Sequence, residues 1–173
     1  MVIAIIRFAG IANASIWFGA AVFTIFGLPA VFQGESGRIL TPQYAGFAAQ
    51  ALLERYYLLQ YGCSAVALAH LALEWLYVGR GARRFTLGLL AGLALLSLAG
   101  GLLAQPKIAA LHREKYWGQT PAVQTSAARR LRVWHGAAQG ANLLVVGGLV
   151  VYLWRVVRST ENSRFAGSNK IRS

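Results

Sequence analysis

Three hydrogen-bonding side chains stand in line within "WHGAAQGAN", residues 134–142. His135, Gln139 and Asn142 fall at i, i+4 and i+7, which is one face of a helix. An imidazole beside two carboxamides can take up a proton near neutrality or hydrogen-bond a small polar solute. A second series follows the same habit. Tyr56, Gln60, Cys63, Ala67, His70 and Glu74 advance by steps of four or three residues, again along one face. Both series sit in strongly apolar stretches. Polar groups in hydrocarbon are costly, so each face is expected to point into a helix bundle or a wet cavity. The candidate functional face is therefore Tyr56, Gln60, His70, Glu74, His135, Gln139 and Asn142. Asn13, Ser15 and Thr24 of the first apolar stretch can add to it.

Spacing limits the chemistry. At 1.5 Å per residue, His70 and His135 come out about 20 Å apart in height, so they cannot be the two axial ligands of one haem. Cys63 and His70 are two turns apart, roughly 10 Å, too far to share one metal ion. His70 and Glu74 can share an ion, but two ligands from one helix do not make a site. No Asp, no phosphate-binding glycine loop, no Gly-x-Ser-x-Gly and no Cys pair is present. No catalytic residue, cofactor site or metal site is assigned. His135 has two readings. With Trp134, Arg129, Arg130 and Arg132 it can form a vestibule facing Glu54, Arg55, Tyr56, Tyr57 and Gln60. The favoured reading is plainer: an interfacial anchor, or a structural histidine bonded to a neighbouring helix.

The elements that must hold these faces are read from composition. Apolar residues make up 57% of the 173-residue chain and charged residues 13%. A soluble domain is nearer half apolar, with about twice that charged fraction. The net charge of +12 flanks long apolar runs, which suits anionic lipid headgroups and not nucleic acid. Four stretches reach the roughly 20 residues a bilayer-crossing helix needs: about 8–32, 56–78, 85–104 and 133–154. The first runs on past the length of a signal-peptide core and is read as an uncleaved span. The fold class is an all-α integral membrane protein, an up-down bundle of four transmembrane helices over residues 1–158. Residues 159–173 are read as a polar, disordered tail. Loop three, 105–132, opens at Pro106; its "KIAALHREKYW" has helical spacing and extends span three or lies at the interface. Close helix approach is assigned to small-residue pairs: Gly88 with Gly92, Ser97 with Gly101, and Gly136 with Gly140.

Lys and Arg number nine on the side of the termini and eight on the other. The compact Arg80, Arg83, Arg84 hairpin and the Arg155/Arg158 stop tip the orientation towards cytoplasmic termini, in a cell (inner) membrane.

Several stretches together carry a family resemblance: "WFG" at 17–19, Pro29 and Phe32, "LERYY" at 53–57, "QPKIAALHRE" at 105–114, and "WHGAAQGANL" at 134–143. Their order resembles the transmembrane protein 205-like family of small four-span membrane proteins and its bacterial relatives, a domain of unknown function. His135, Gly136, Asn142, Leu143 and Tyr56 match that family's pattern; Trp134, Ala138, Glu54 and Tyr57 depart from it. The resemblance implies the fold, the membrane location and the importance of His135 and Asn142, and no reaction. The reading is a non-enzymatic multi-pass protein whose polar seam binds or passes a small solute, proton or metal. The alternative is a structural or accessory subunit of a larger membrane complex, and a haem-handling membrane enzyme ranks last. Its partners are expected to be the lipid bilayer and a membrane protein or second copy, with no nucleic acid.

Overall fold

The computed structural model describes residues 2–33, 41–78 and 84–168, and every described element is helical. They form four rods. Rod one is α1 (Val2–Val22), a π turn (Phe23–Gly27) and α2 (Leu28–Gln33). Rod two is α3 (Pro42–Val78). Rod three is α4 (Arg84–Ala99), a second π turn (Gly100–Ala104) and α5 (Gln105–Trp117). Rod four is α6 (Pro121–Ser168). Each rod packs on the next, and rod four closes back on rod one. Contact pairs give the directions. Gly10 meets His70 and Asn13 reaches Cys63, so rods one and two are antiparallel. Tyr56 meets Asn142 and Glu74 lies towards Tyr152, so rods two and four run parallel.

Three rods are long and apolar enough to cross a membrane: Ala4–Phe32, Arg84–Trp117 and Pro121–Arg158. Rod two is not among them, although its 37 residues are ample in length. Gln60, His70 and Glu74, spaced along its face, dilute its apolar character. The molecule is a helical membrane protein by this measure. Its surface agrees: Phe8, Phe26, Leu76, Leu95, Leu103 and Leu144 are all exposed. So many large apolar groups facing outward are at odds with a soluble monomer and match a lipid environment.

The rods outrun their apolar stretches. Rod three has 34 residues, about 51 Å, against a hydrocarbon core of about 30 Å. The surplus is polar and gathers at one end, where residues 42–55, 105–117 and 121–132 form a helical head. Loop three therefore shrinks to three residues, 118–120. Gly118 ends α5 in extended conformation, and Thr120 Oγ1 accepts from Val123 N at 3.3 Å to cap α6 ahead of Pro121. At the other end the last helix continues to Ser168, into the stretch read as a disordered tail: "STENSRFA" holds no Gly or Pro to stop it. Loop-one residues 34–40 and the Arg80/Arg83 hairpin lie outside the described residues.

Prolines shape the rods without ending them. Pro29 and Pro106 each follow a π turn within a continuous rod. A helical proline has no N–H and crowds the carbonyl four residues back. For Pro29 that is Ile25 and for Pro106 it is Leu102, both inside the π turns. The wider register absorbs the misfit, so the chain does not break into a loop at Pro106.

Candidate functional site

The bundle core is built from small and aromatic groups: Ala14, Trp17 and Ala21 of rod one, Tyr56, Cys63 and Ala67 of rod two, Leu90 and Leu93 of rod three, Val145, Leu149 and Tyr152 of rod four. Alanines on facing rods leave room for the large rings. At the edge of this core, near the head, polar groups come together.

Tyr56 donates from its hydroxyl to Asn142 Oδ1, tying rod two to rod four. The Gln60 side chain lies one turn further along the same face of rod two, beside the Tyr56 hydroxyl. The Ser97 hydroxyl donates to Gln60 Oε1, with the Leu93 carbonyl 2.9 Å away as a second acceptor. Tyr56–Asn142 and Gln60–Ser97 are thus two bonded pairs, one turn apart on rod two, that tie it to rods four and three. Gln60 and Ser97 are each 1% exposed, so these bonds are shielded from water and specify how the rods meet.

Beside these pairs lies a cavity of about 250 Å³. One part of its wall is polar: Thr24, Tyr56, Gln105, His135, Gln139 and Asn142. The rest is apolar and includes Ile25, Leu28, Pro29, Phe32, Leu53 and Ile108. Among the described residues, no Lys, Arg, Asp or Glu lines it. A second cavity of about 230 Å³ lies between rods two, three and four, against Gln60, Leu96, Gly100 and Trp134. The two share Tyr57, Ala138 and Asn142 as lining residues. Both π turns border this space, through Thr24 and Ile25 in one rod and Gly100, Leu103 and Ala104 in the other. The Thr24 hydroxyl donates to the Ala20 carbonyl at 2.8 Å, so it is turned back into its own helix.

The seven candidate residues divide. Tyr56, His135, Gln139 and Asn142 converge on the larger cavity. Gln60 lies behind Tyr56 and lines the smaller one. His70 and Glu74 sit at the far end of rod two, about 15 and 21 Å further along than Gln60 at 1.5 Å per residue. His135 and Gln139 are exposed and make no side-chain hydrogen bond among the described residues, so the contact read as interhelical is an open wall. The glycine assignments need correction. Gly88, Gly92, Gly136 and Gly140 have no neighbour within 4 Å of an added Cβ. The glycines where rods touch are Gly10 against His70, Gly46 against His112, Gly100 and Gly101 against Tyr57 and Tyr61, and Gly148 against Leu93. Of the small-residue pairs read from the sequence, only Ser97 with Gly101 meets a neighbouring rod, at Gln60 and Tyr61 of rod two, and elsewhere a single glycine faces an aromatic or bulky partner.

His112 is the functional-looking residue that spacing alone did not single out. It is buried in the head with Ile108 and Leu111, its ring near Phe47 (5.4 Å between centroids) and Tyr116 (4.9 Å). Burial pushes its pKa below the ordinary value, and the Lys115 ammonium adds to this; a hydrogen bond to the Pro42 backbone works the other way. The 108, 111, 112 spacing was the available signal, since it marks one face of a helix.

Residues 13–116 match the profile of a domain of unknown function (DUF4149). The chain belongs to this family. No curated protein and no solved structure matches it. The matched segment of this DUF4149 protein covers most of rod one, all of rod two and nearly all of rod three. It includes Tyr56, Gln60, His70 and Glu74. His135, Gln139 and Asn142 lie beyond it, on rod four.

Proposed function

We propose that this protein is a non-enzymatic, four-span membrane protein that takes a small neutral amphiphile from the bilayer into the larger cavity, which all four rods line. One observation carries the reading. The cavity joins an apolar wall to a polar one made of carboxamides, a phenol and an imidazole, with no charged side chain among the described residues that line it. Binding pockets are typically apolar with a few convergent polar groups. Uncharged donors and acceptors favour a hydroxyl or carbonyl headgroup over a phosphate. The cavity is smaller than the roughly 300–1,000 Å³ of drug-sized sites, so it suits a headgroup and the start of a chain.

The bundle geometry supports rod two as the fourth span. It packs along rods one and three, antiparallel to both, and its polar face turns inward where bilayer contact is avoided. In this reading the head lies outside, and both termini are cytoplasmic in the cell membrane. The resemblance to the transmembrane protein 205-like family fits this architecture. A structural subunit is the second reading, favoured by the open Gly136 and Gly140 face.

Two experiments test the proposal. Cysteines placed singly at Tyr44 and Thr120 should label from one side of the membrane, and at Arg84 and Ser168 from the other. Tyr44 and Arg84 labelling from the same side would remove rod two as a span. A diazirine-bearing fatty alcohol, photolysed with the protein in nanodiscs, should mark residues near Ile25, Leu53 and Asn142. Asn142→Leu should reduce that marking. Labelling spread evenly over lipid-facing Leu95 and Leu144 would overturn the binding reading.

A further inference from the structure

The half of the seam away from the cavity poses a different problem. Trp17 Nε1, His70 Nε2 and the Tyr152 hydroxyl are buried without a hydrogen-bond partner among the described residues. They come from three rods, and their residues are 0%, 7% and 2% exposed. Buried polar groups in native proteins are nearly always bonded, and internal water is the usual partner when protein supplies none. His70 has little freedom to find one: its ring lies flat on Gly10 of rod one. Glu74, one turn beyond His70 on the same face, lies close enough for its charge to act on Tyr152. The acid, the imidazole and the phenol are therefore gathered at one end of the seam. Beside Trp17, the Asn13 amide donates to the Cys63 carbonyl at 2.9 Å, so the wall here is polar on rod one as well.

At the other end, the bonded pairs Ser97–Gln60 and Tyr56–Asn142 lie one turn apart and reach the cavity where His135 stands exposed. From Tyr56 to Glu74 is 18 residues, about 27 Å along the helix, close to the roughly 30 Å thickness of hydrocarbon. Ionisable and hydroxyl groups aligned over that depth, and facing the bundle interior, are the ordinary make-up of a proton relay.

We propose that this seam is a proton path. It runs from the cavity at His135 and Asn142, past Tyr56 with the Gln60 amide beside it, on through water at the unpartnered Trp17, Tyr152 and His70 groups, and leaves by Glu74. Tyr56 and Tyr152 pass a proton by giving one from the hydroxyl as they accept another. His70 does so by taking a proton on one ring nitrogen and releasing it from the other. One proton leaves for each that enters, so nothing is consumed and only the gradient drives the flow. The titratable and charged groups on the rods around His70 are Glu74, one turn along its own rod, Tyr152 of rod four, on which Glu74 acts, Arg155 three residues beyond Tyr152, and Arg7 three residues before Gly10. Arg155 is occupied with Thr86 at 2.9 Å and stacks over the Phe85 ring, so it borders the exit instead of filling it. The path rests on rod two crossing the membrane, which the Tyr44 and Arg84 labelling tests separately.

The full chain, reconstituted in vesicles loaded with a pH-sensitive dye, tests the path directly. With valinomycin and a potassium gradient making the lumen negative, the dye should acidify about tenfold faster than in protein-free vesicles. His70→Leu and Gln60→Leu should each return the rate to that background, and Tyr44→Phe on the head surface should not change it. Should either leucine variant fail to incorporate, His70→Gln and Tyr152→Phe keep nearly the same shape and should still cut the rate severalfold. A wild-type rate equal to protein-free vesicles would overturn the proposal, as would normal conduction by well-folded His70 and Gln60 variants.

Discussion

One packing device is used twice in this molecule, in two different settings. In the bundle, His70 of rod two lies on Gly10 of rod one. In the head, His112 of rod three lies on Gly46 of rod two. The two imidazoles are almost equally buried, 7% and 8% exposed. Each also keeps one ring nitrogen without a partner among the described residues, Nε2 in His70 and Nδ1 in His112. Their surroundings differ. His70 is held among apolar residues and the seam, whereas His112 is flanked by Phe47, Tyr116 and Lys115 in a segment rich in charge. A flat ring over a glycine is thus the way this chain brings rods together. What the ring can do afterwards depends on the solvent near it.

The largest effects should come from filling either glycine. A Cβ at Gly10 or Gly46 would run into the imidazole, and neither ring has free space to retreat. Gly10→Val should lower stability in detergent by about 1–3 kcal/mol, the usual cost of overpacking. Gly46→Val should cost about as much at the head while leaving the bundle closed. Hydrogen exchange separates the two: faster exchange around residues 10–20 for the first, around 42–50 for the second. If Gly46→Val loosened the bundle as strongly as the head, the two regions would be one cooperative unit and the contrast would fail.

A smaller effect is expected from the bonded pairs beside the cavity. Ser97→Ala removes the donor to buried Gln60 Oε1, at a cost of about 1 kcal/mol, the net worth of a typical hydrogen bond. Ser97→Ala should lower the melting temperature more than Thr24→Ala, because the Thr24 hydroxyl only backs onto its own helix. Equal losses would mean that the Gln60 contact adds no stability.

Acid should distinguish the histidines next. The folded head favours neutral His112, so its pKa lies below the ordinary 6.5 of the unfolded chain. The unfolded state then binds the proton first, and stability falls as pH drops below about 6.5. It levels off once the folded state is also protonated, and it is fully present above 6.5. Exchange at Gly46 and Phe47 should quicken between pH 7.5 and 5.5, and His112→Phe should abolish that dependence. A pH response unchanged in His112→Phe would assign it to another group.

The sequence carried much of this in its periodicities. Runs of about 20 apolar residues placed rods one, three and four, and the three-and-four steps put Tyr56, His135, Gln139 and Asn142 on faces that do meet at one cavity. What it did not carry is information held between rods. Pro106 reads as a break, because nothing local shows that a π turn will absorb it. Gly46 and His112 are far apart in sequence, and neither has a local pattern that names the other. Gly136 and Gly140 have the spacing of a packing motif, yet they face outward, because the rotation of rod four is set by Val145, Leu149 and Tyr152 entering the core.

That last point gives the smallest and most discriminating test. Gly140→Ala is the same chemical change as Gly46→Ala, and the two should differ in sign. At Gly46 the added methyl meets His112, and the clash outweighs the gain from a better helix former. At Gly140 no atom lies within 4 Å, so only the helix preference remains, worth up to about 1 kcal/mol in favour of Ala. The melting temperature should therefore rise slightly or stay level for Gly140→Ala and fall for Gly46→Ala. The next step is Gly140→Leu, which within one chain still meets nothing and should be tolerated. If Gly140→Leu instead destabilised the protein, and did so more at high protein-to-detergent ratio, the open face would be occupied by a second copy. Rod four would then have two working sides, with Asn142 turned to the cavity and Gly140 to a neighbour.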